Sequence, residues 1–68
     1  MPLEHLNLSM RSHNCLIMKN CKTIGDVARL TEDQIRVIRN FGKKSAAEVA
    51  QKLLDVGVKN SDWDLYLN

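Results

Sequence analysis

Residues 39–48 read RNFGKKSAAE. This stretch joins two helical patterns, and its reading decides how the chain reverses. Asn40 and Gly42 are the two residues in it best able to adopt positive φ. Phe41, between them, is expected to point inward and pin the turn to the core. Ser45 and Glu48 have the S-x-x-E spacing of a capping box, which predicts a helix starting at Ser45. Lys43 and Lys44 then stand just ahead of a helix N-terminus, an end that already carries partial positive charge. They are either solvated or placed to meet an anion.

Downstream, Ala46, Val49, Ala50, Leu53 and Leu54 form an apolar stripe at helical spacing, with Glu48, Gln51, Lys52 and Asp55 on the other side. Gly57 is expected to stop that helix. Upstream, LTEDQI pairs Thr31 with Gln34 as a capping box and Leu30 with Ile35 as a hydrophobic staple. Thr23 caps a shorter helix with Asp26 in its first turn, and Ser9 caps a first helix over roughly Met10 to Lys19. No alternating β pattern of any length appears, and there is no repeat or low-complexity segment. These signals predict an all-α domain of short helices, with RNFGKK a tight reversal between the third and fourth. The whole of residues 1–68 reads as one domain, with a core over about 3–58 and a tail over 59–68. The ending NSDWDLYLN is polar except for Trp63, Leu65, Tyr66 and Leu67, so it either docks as a short turn of helix or stays mobile.

A 68-residue chain buries only about 60% of the surface its unfolded state exposes, which leaves little room for both a core and an elaborate catalytic pocket. With 44% hydrophobic residues it can still form a compact core. The net charge is +2, but residues 11–44 hold eight Lys/Arg against three acids, a local excess of +5. Such a basic middle points to an anionic partner or to a solvated basic face. Cys15 and Cys21 have five residues between them, which fits neither a CxxC redox pair nor a zinc knuckle, and two reduced thiols are expected. No metal or cofactor is implied. There is no apolar signal-peptide core and no apolar run of membrane length, so the expected setting is soluble and intracellular. No carboxylate pair, nucleophile–base pair or metal cluster has the spacing that catalysis needs, so a binding module is expected.

A reversal at Asn40–Gly42 exposes consecutive backbone N–H groups beside a helix start, a natural phosphate seat, and Lys43 and Lys44 supply countercharge. A P-loop is excluded, because Val37 and Lys44 stand where it needs Gly and Ser or Thr. What remains is a helix–hairpin–helix arrangement, with Asn40 in place of the usual first glycine, or an ordinary αα turn with lysines in water. The first helix favours the former. Arg11, Asn14 and Cys15 fall at i, i+3 and i+4 on one face. A long Arg beside a short amide and a thiol is not a hydrophobic seam, and Arg suits the negative potential of a narrow A·T-rich minor groove. The alternative for Arg11 is a surface ion pair, with Glu48 or an acid of the tail as partner.

At this point the chain resembles the C-terminal domain of the bacterial RNA polymerase α subunit. The resemblance runs from about Leu3 to Val58 and is carried by LSMRSHNCL, TIGDVARLTEDQI and RNFGKKSAAEVAQKL. It implies a compact bundle of four to five short helices with a helix–hairpin–helix element. It also implies non-enzymatic binding of A·T-rich double-stranded DNA upstream of promoters through the minor groove, and docking of transcription activators and sigma factor. By position, Arg11 would enter the groove, with Asn14 and Cys15 lining that contact. Asn40, Gly42, Lys44 and Ser45 would hold phosphates, with Lys43 beside them. Glu48 would both orient Arg11 and cap its own helix. The implied setting is cytoplasmic, at the nucleoid, with no membrane contact and a monomer in isolation.

Several positions depart from the family. Phe41 stands where Leu is usual, and Ile17 and Met18 are more apolar than the Lys-containing stretch of many members. His5 and Asn7 occupy places where many members carry acids used against sigma, leaving Glu4 alone, so a sigma contact loses its usual groups. The sequence begins at Met1 without an assembly domain ahead of it, as either a portion of a longer subunit or a freestanding protein would. A second reading keeps the same fold as a protein-interaction module that binds a transcription factor or polymerase subunit instead of DNA.

Overall fold

The computed structural model describes residues 1–67. An N-terminal 3-10 turn (Leu3–Leu6) precedes five helices: α1 Met10–Met18, α2 Ile24–Ala28, α3 Glu32–Arg36, α4 Lys43–Asp55 and α5 Ser61–Asp64. Among the described residues there is no strand, only an isolated antiparallel bridge between Pro2 and Thr23. Next to it, Leu3 N–H donates to the Lys22 carbonyl and Ile24 N–H to the Met1 carbonyl, which fastens the N-terminus beside the start of α2.

Local side chains define the first three helix starts. The Ser9 hydroxyl accepts Ser12 N–H at 3.4 Å. Thr23 and Asp26 cap each other, the Thr hydroxyl taking Asp26 N–H and the carboxylate taking Thr23 N–H. Thr31 and Gln34 repeat the exchange. Each bond occupies a backbone N–H that has no partner within its helix. The Asp26 carboxylate also accepts Lys22 N–H, and that bond, followed by those from Thr23, holds its pKa below the ordinary value. Two helix ends are Schellman motifs. At the end of α1, Asn20 has φ 64°, with Asn20 N–H bonded to Ile17 and Cys21 N–H to Leu16. At the end of α4, Gly57 has φ 80°, with Gly57 N–H bonded to Leu54 and Val58 N–H to Leu53.

α4 is the central element, with α1, α5 and the N-terminal turn packed on it. Its stripe buries Ala46, Val49, Ala50 and Leu53, while Leu54 is half-buried. Leu30 and Ile35, the staple pair, are both buried. The core extends past Val58. Asn60 caps α5, accepting Asp62 N–H at 2.8 Å and donating its side-chain amide to the Ala28 carbonyl. Trp63 is 1% exposed, and its indole N–H donates to the Val27 carbonyl at 2.9 Å. Among the described residues, this tail docks on the core through Asn60 and Trp63. A Trp supplies the largest single apolar surface available to so small a core and needs one acceptor for its N–H, which the end of α2 provides.

Candidate nucleic-acid interface

The connection from α3 to α4 reverses at Asn40, whose φ is 59°. Gly42 differs from the sequence expectation: its backbone is extended (φ −88°, ψ −175°) and it serves as the N-cap of α4. The half-buried Phe41 ring meets Trp63 edge-on, with centroids 6.1 Å apart, so the tail steadies the turn from beneath.

α4 also begins earlier than its sequence suggests. Lys43 and Lys44 occupy its first turn, and Ser45 is its third residue, not its cap. The Ser45–Glu48 capping box is not formed, and glycine at the N-cap offers no side-chain acceptor. The first intrahelical bond runs from Ala46 N–H to the Gly42 carbonyl at 3.0 Å, so the N–H groups of residues 43–45 precede the helical ladder. A Cβ built on Gly42 would meet nothing within 4 Å, so the space before this helix end is open.

Glu48 has been drawn elsewhere. Its carboxylate accepts Ser9 N–H at 2.6 Å, the Ser9 hydroxyl at 3.0 Å and the Ser12 hydroxyl at 2.7 Å. Three donors converging from α1 outcompete one local bond, the more so because Ser12 is fully buried and its hydroxyl needs a partner. Burial raises the Glu48 pKa, but the bonds from Ser12 and Ser9 together outweigh it, and the carboxyl titrates below its ordinary value. The alternative for Arg11, an ion pair with Glu48 or with an acid of the tail, is not formed among the described residues. Among the described residues the one ion pair is Asp33–Arg36, at 2.7 Å and exposed. Ser9 and Ser12 flank Arg11 in the sequence, and their bonds to Glu48 hold the first turn of α1 against α4.

Between α1 and residues 37–40 lies an open cleft of about 530 Å³. Arg11, Asn14 and Cys15 line it together with Asn40, so the predicted face of α1 and the predicted turn do meet. The buried Cys15 thiol donates to the Asn40 carbonyl at 3.6 Å and ties the two sides together. Arg39, Met18 and Val37 also line this cleft, and the sequence pattern does not assign them to the site. The available signal is that Arg39 immediately precedes the positive-φ residue. Lys43 and Lys44 border a separate, smaller recess with Tyr66. Gly42 and Ser45 belong to the open end of α4. Both cysteines are free. Cys21 is buried, which, with the nearby Asp26 charge, raises its pKa and keeps the thiol protonated. Among the described residues no group of three or more His, Cys, Asp or Glu could hold a metal ion, and no helix is long and apolar enough to cross a membrane.

Residues 1–55 match the family of the C-terminal domain of the bacterial RNA polymerase alpha chain. The protein belongs to that family. Every residue singled out above as a site candidate, from Arg11 to Glu48, falls inside the match, whereas α5 lies outside it. The sequence is 48% identical over 67 residues to the DNA-directed RNA polymerase subunit alpha of Salinibacter ruber, covering 97% of this chain and 20% of that protein. It is 45% identical over 62 residues to the subunit of the same name from Leifsonia xyli subsp. xyli (91% of this chain, 19% of that protein). The Corynebacterium diphtheriae subunit is 47% identical over 62 residues, covering 91% of this chain and 18% of that protein. The chain thus spans about one fifth of the length of these curated relatives.

Proposed function

We propose that this domain is a non-enzymatic DNA-binding module of transcription that engages A·T-rich upstream promoter DNA through the minor groove and docks transcription regulators. The observation that carries this reading is the juxtaposition of Arg11 and Asn14 with the Asn40 turn, beside an uncapped α4 whose first turn holds Lys43 and Lys44. Arg11 enters the groove, where A·T-rich sequence enhances the negative potential. Asn14 and Cys15 line that contact. Asn40, Gly42, Lys44 and Ser45 hold phosphates through backbone N–H groups and charge, with Lys43 adding to the field. Glu48 positions Arg11 by anchoring Ser9 and Ser12. The helix-end N–H groups have no side-chain acceptor, and an anion offsets both them and the two lysines.

Gly42 adds support. Glycine is a favoured N-cap, and with no side chain and open space before it, it also leaves the backbone accessible to close approach by a ligand. The module is a cytoplasmic, nucleoid-associated monomer that binds weakly by itself, because so small a footprint barely offsets the cost of association. Linkage to a larger assembly supplies the missing effective concentration. The acidic groups used against sigma are reduced to Glu4, so activators are the better-supported protein partners.

The test is a titration of A·T-rich and G·C-rich duplexes at two salt concentrations. For a few neutralised phosphates, log K should fall against log[salt] with a slope of about −2 to −4. Undetectable binding at low salt would sink this reading in favour of a protein-interaction module of the same fold.

A further inference from the structure

The cleft between α1 and residues 37–40 contains more than the groove-entering face of α1. Arg39 lines it together with Arg11 and Lys19. Among the described residues no acid lines it. Neither arginine belongs to an ion pair among those residues, while Arg36, three residues before Arg39, is occupied by Asp33. Between the cations the lining is apolar, with Met18 81% and Val37 70% exposed. Exposed Met and Val flanked by unpaired cations describe a surface for something both apolar and anionic. A sugar–phosphate strand has that composition, offering deoxyribose carbons between phosphates.

We infer that this cleft seats one strand of the duplex, with Arg39 binding a phosphate on the side of the strand opposite Arg11, and with Met18 and Val37 packing on the sugars between. The Cys15–Asn40 bond links α1 to the turn, so the backbone segments that carry the two arginines lie side by side across the cleft. Arg11 and Arg39 then differ in kind: Arg11 reads the groove, and Arg39 contributes sequence-independent affinity. This inference rests on the DNA-binding reading and extends it to residues that reading does not use.

The experiment compares the 68-residue protein with its Arg39→Ala, Val37→Lys and Arg11→Ala variants, each titrated with A·T-rich and G·C-rich duplexes at about 50 and about 200 mM salt. One phosphate contact is worth about 0.9 in the log–log slope, so across this fourfold step Arg39→Ala should lose about 3.5-fold less affinity than the parent protein. Its ratio of A·T to G·C affinity should be unchanged. Val37→Lys, at an exposed position in the same cleft, should bind more tightly at the lower salt and show the opposite change in slope, a gain that damage to the fold cannot produce. Unchanged slopes in both variants, with Arg11→Ala still losing the A·T preference, would overturn this inference alone and leave the cleft to an acidic protein segment. Absence of duplex binding by the parent protein would overturn the functional reading along with it.

Discussion

Replacing Glu48 with Ala removes a carboxylate shared by three donors, and the structure sets the size of the loss. Ser9 is exposed, so its N–H and hydroxyl can turn to water, and their two bonds contribute about 0.5–1 kcal/mol each. Ser12 is 0% exposed, and leaving its hydroxyl poorly satisfied costs about 1–3 kcal/mol. The expected loss is about 2–5 kcal/mol, against about 3–10 kcal/mol for an entire domain of 68 residues. The midpoint of thermal unfolding should fall by about 10 °C or more, read by circular dichroism at pH 7. Ser12→Ala removes the buried hydroxyl itself, so in that background Glu48→Ala should cost about 1–2 kcal/mol less. Acid supplies a second arm. The folded-state pKa of Glu48 is lowered, so its stabilisation is complete above the ordinary glutamate value and is lost as pH falls through the folded value. Glu48→Gln should lack that part of the acid dependence. A loss below about 0.5 kcal/mol, or an equal loss with and without the Ser12 hydroxyl, would refute the account of Glu48 as the clasp between α1 and α4.

Gly42→Ala sets an unfolded-chain entropy gain of about 0.4–1 kcal/mol against a comparable loss from placing Ala at the N-cap of α4, so stability should stay within about 1 kcal/mol of the parent. Its duplex affinity should fall about fivefold, a loss of about 1 kcal/mol; retained affinity would show that no ligand approaches this backbone. Asn40→Ala should cost about 1–2 kcal/mol because φ is positive there, and Asn40→Gly should restore most of it in urea unfolding. Trp63→Ala should cost about 3–5 kcal/mol, enough to leave much of the protein unfolded at 37 °C by near-UV circular dichroism. A folded Trp63→Ala protein with native affinity would show that α5 is dispensable.

What could be read in the sequence was local. The Thr31–Gln34 box, the Leu30–Ile35 staple, the Ser9 and Thr23 caps and the Gly57 stop all involve partners within about five residues. The start of α4 was misread for the same reason. Ser45 and Glu48 have the spacing of a capping box, but Glu48 is claimed by Ser12 and Ser9, 36 and 39 residues earlier, and no local pattern contains that competition. With Glu48 engaged elsewhere, the helix runs back to Gly42 and takes both lysines into its first turn. The Arg11, Asn14 and Cys15 face was legible from helical spacing, whereas its meeting with Asn40 depends on how α1 crosses α4. Arg39 and Val37 remained out of sight because the six-residue connection has no period from which to assign an inward or outward direction. Trp63 left open whether the tail docks, because its acceptor is the carbonyl of Val27, 36 residues upstream.

The central claim is that Arg11 reads a groove while the neighbouring hairpin holds phosphates. Its most direct measurement is the ratio of A·T-rich to G·C-rich duplex affinity for the parent protein and for Arg11→Ala, at one low salt concentration and with the fold checked by circular dichroism. The account predicts a clear A·T preference in the parent and a ratio near one in the variant, with residual, salt-sensitive binding left by the lysines and the open end of α4. An Arg11→Ala protein that stays folded and keeps the parental ratio would contradict it.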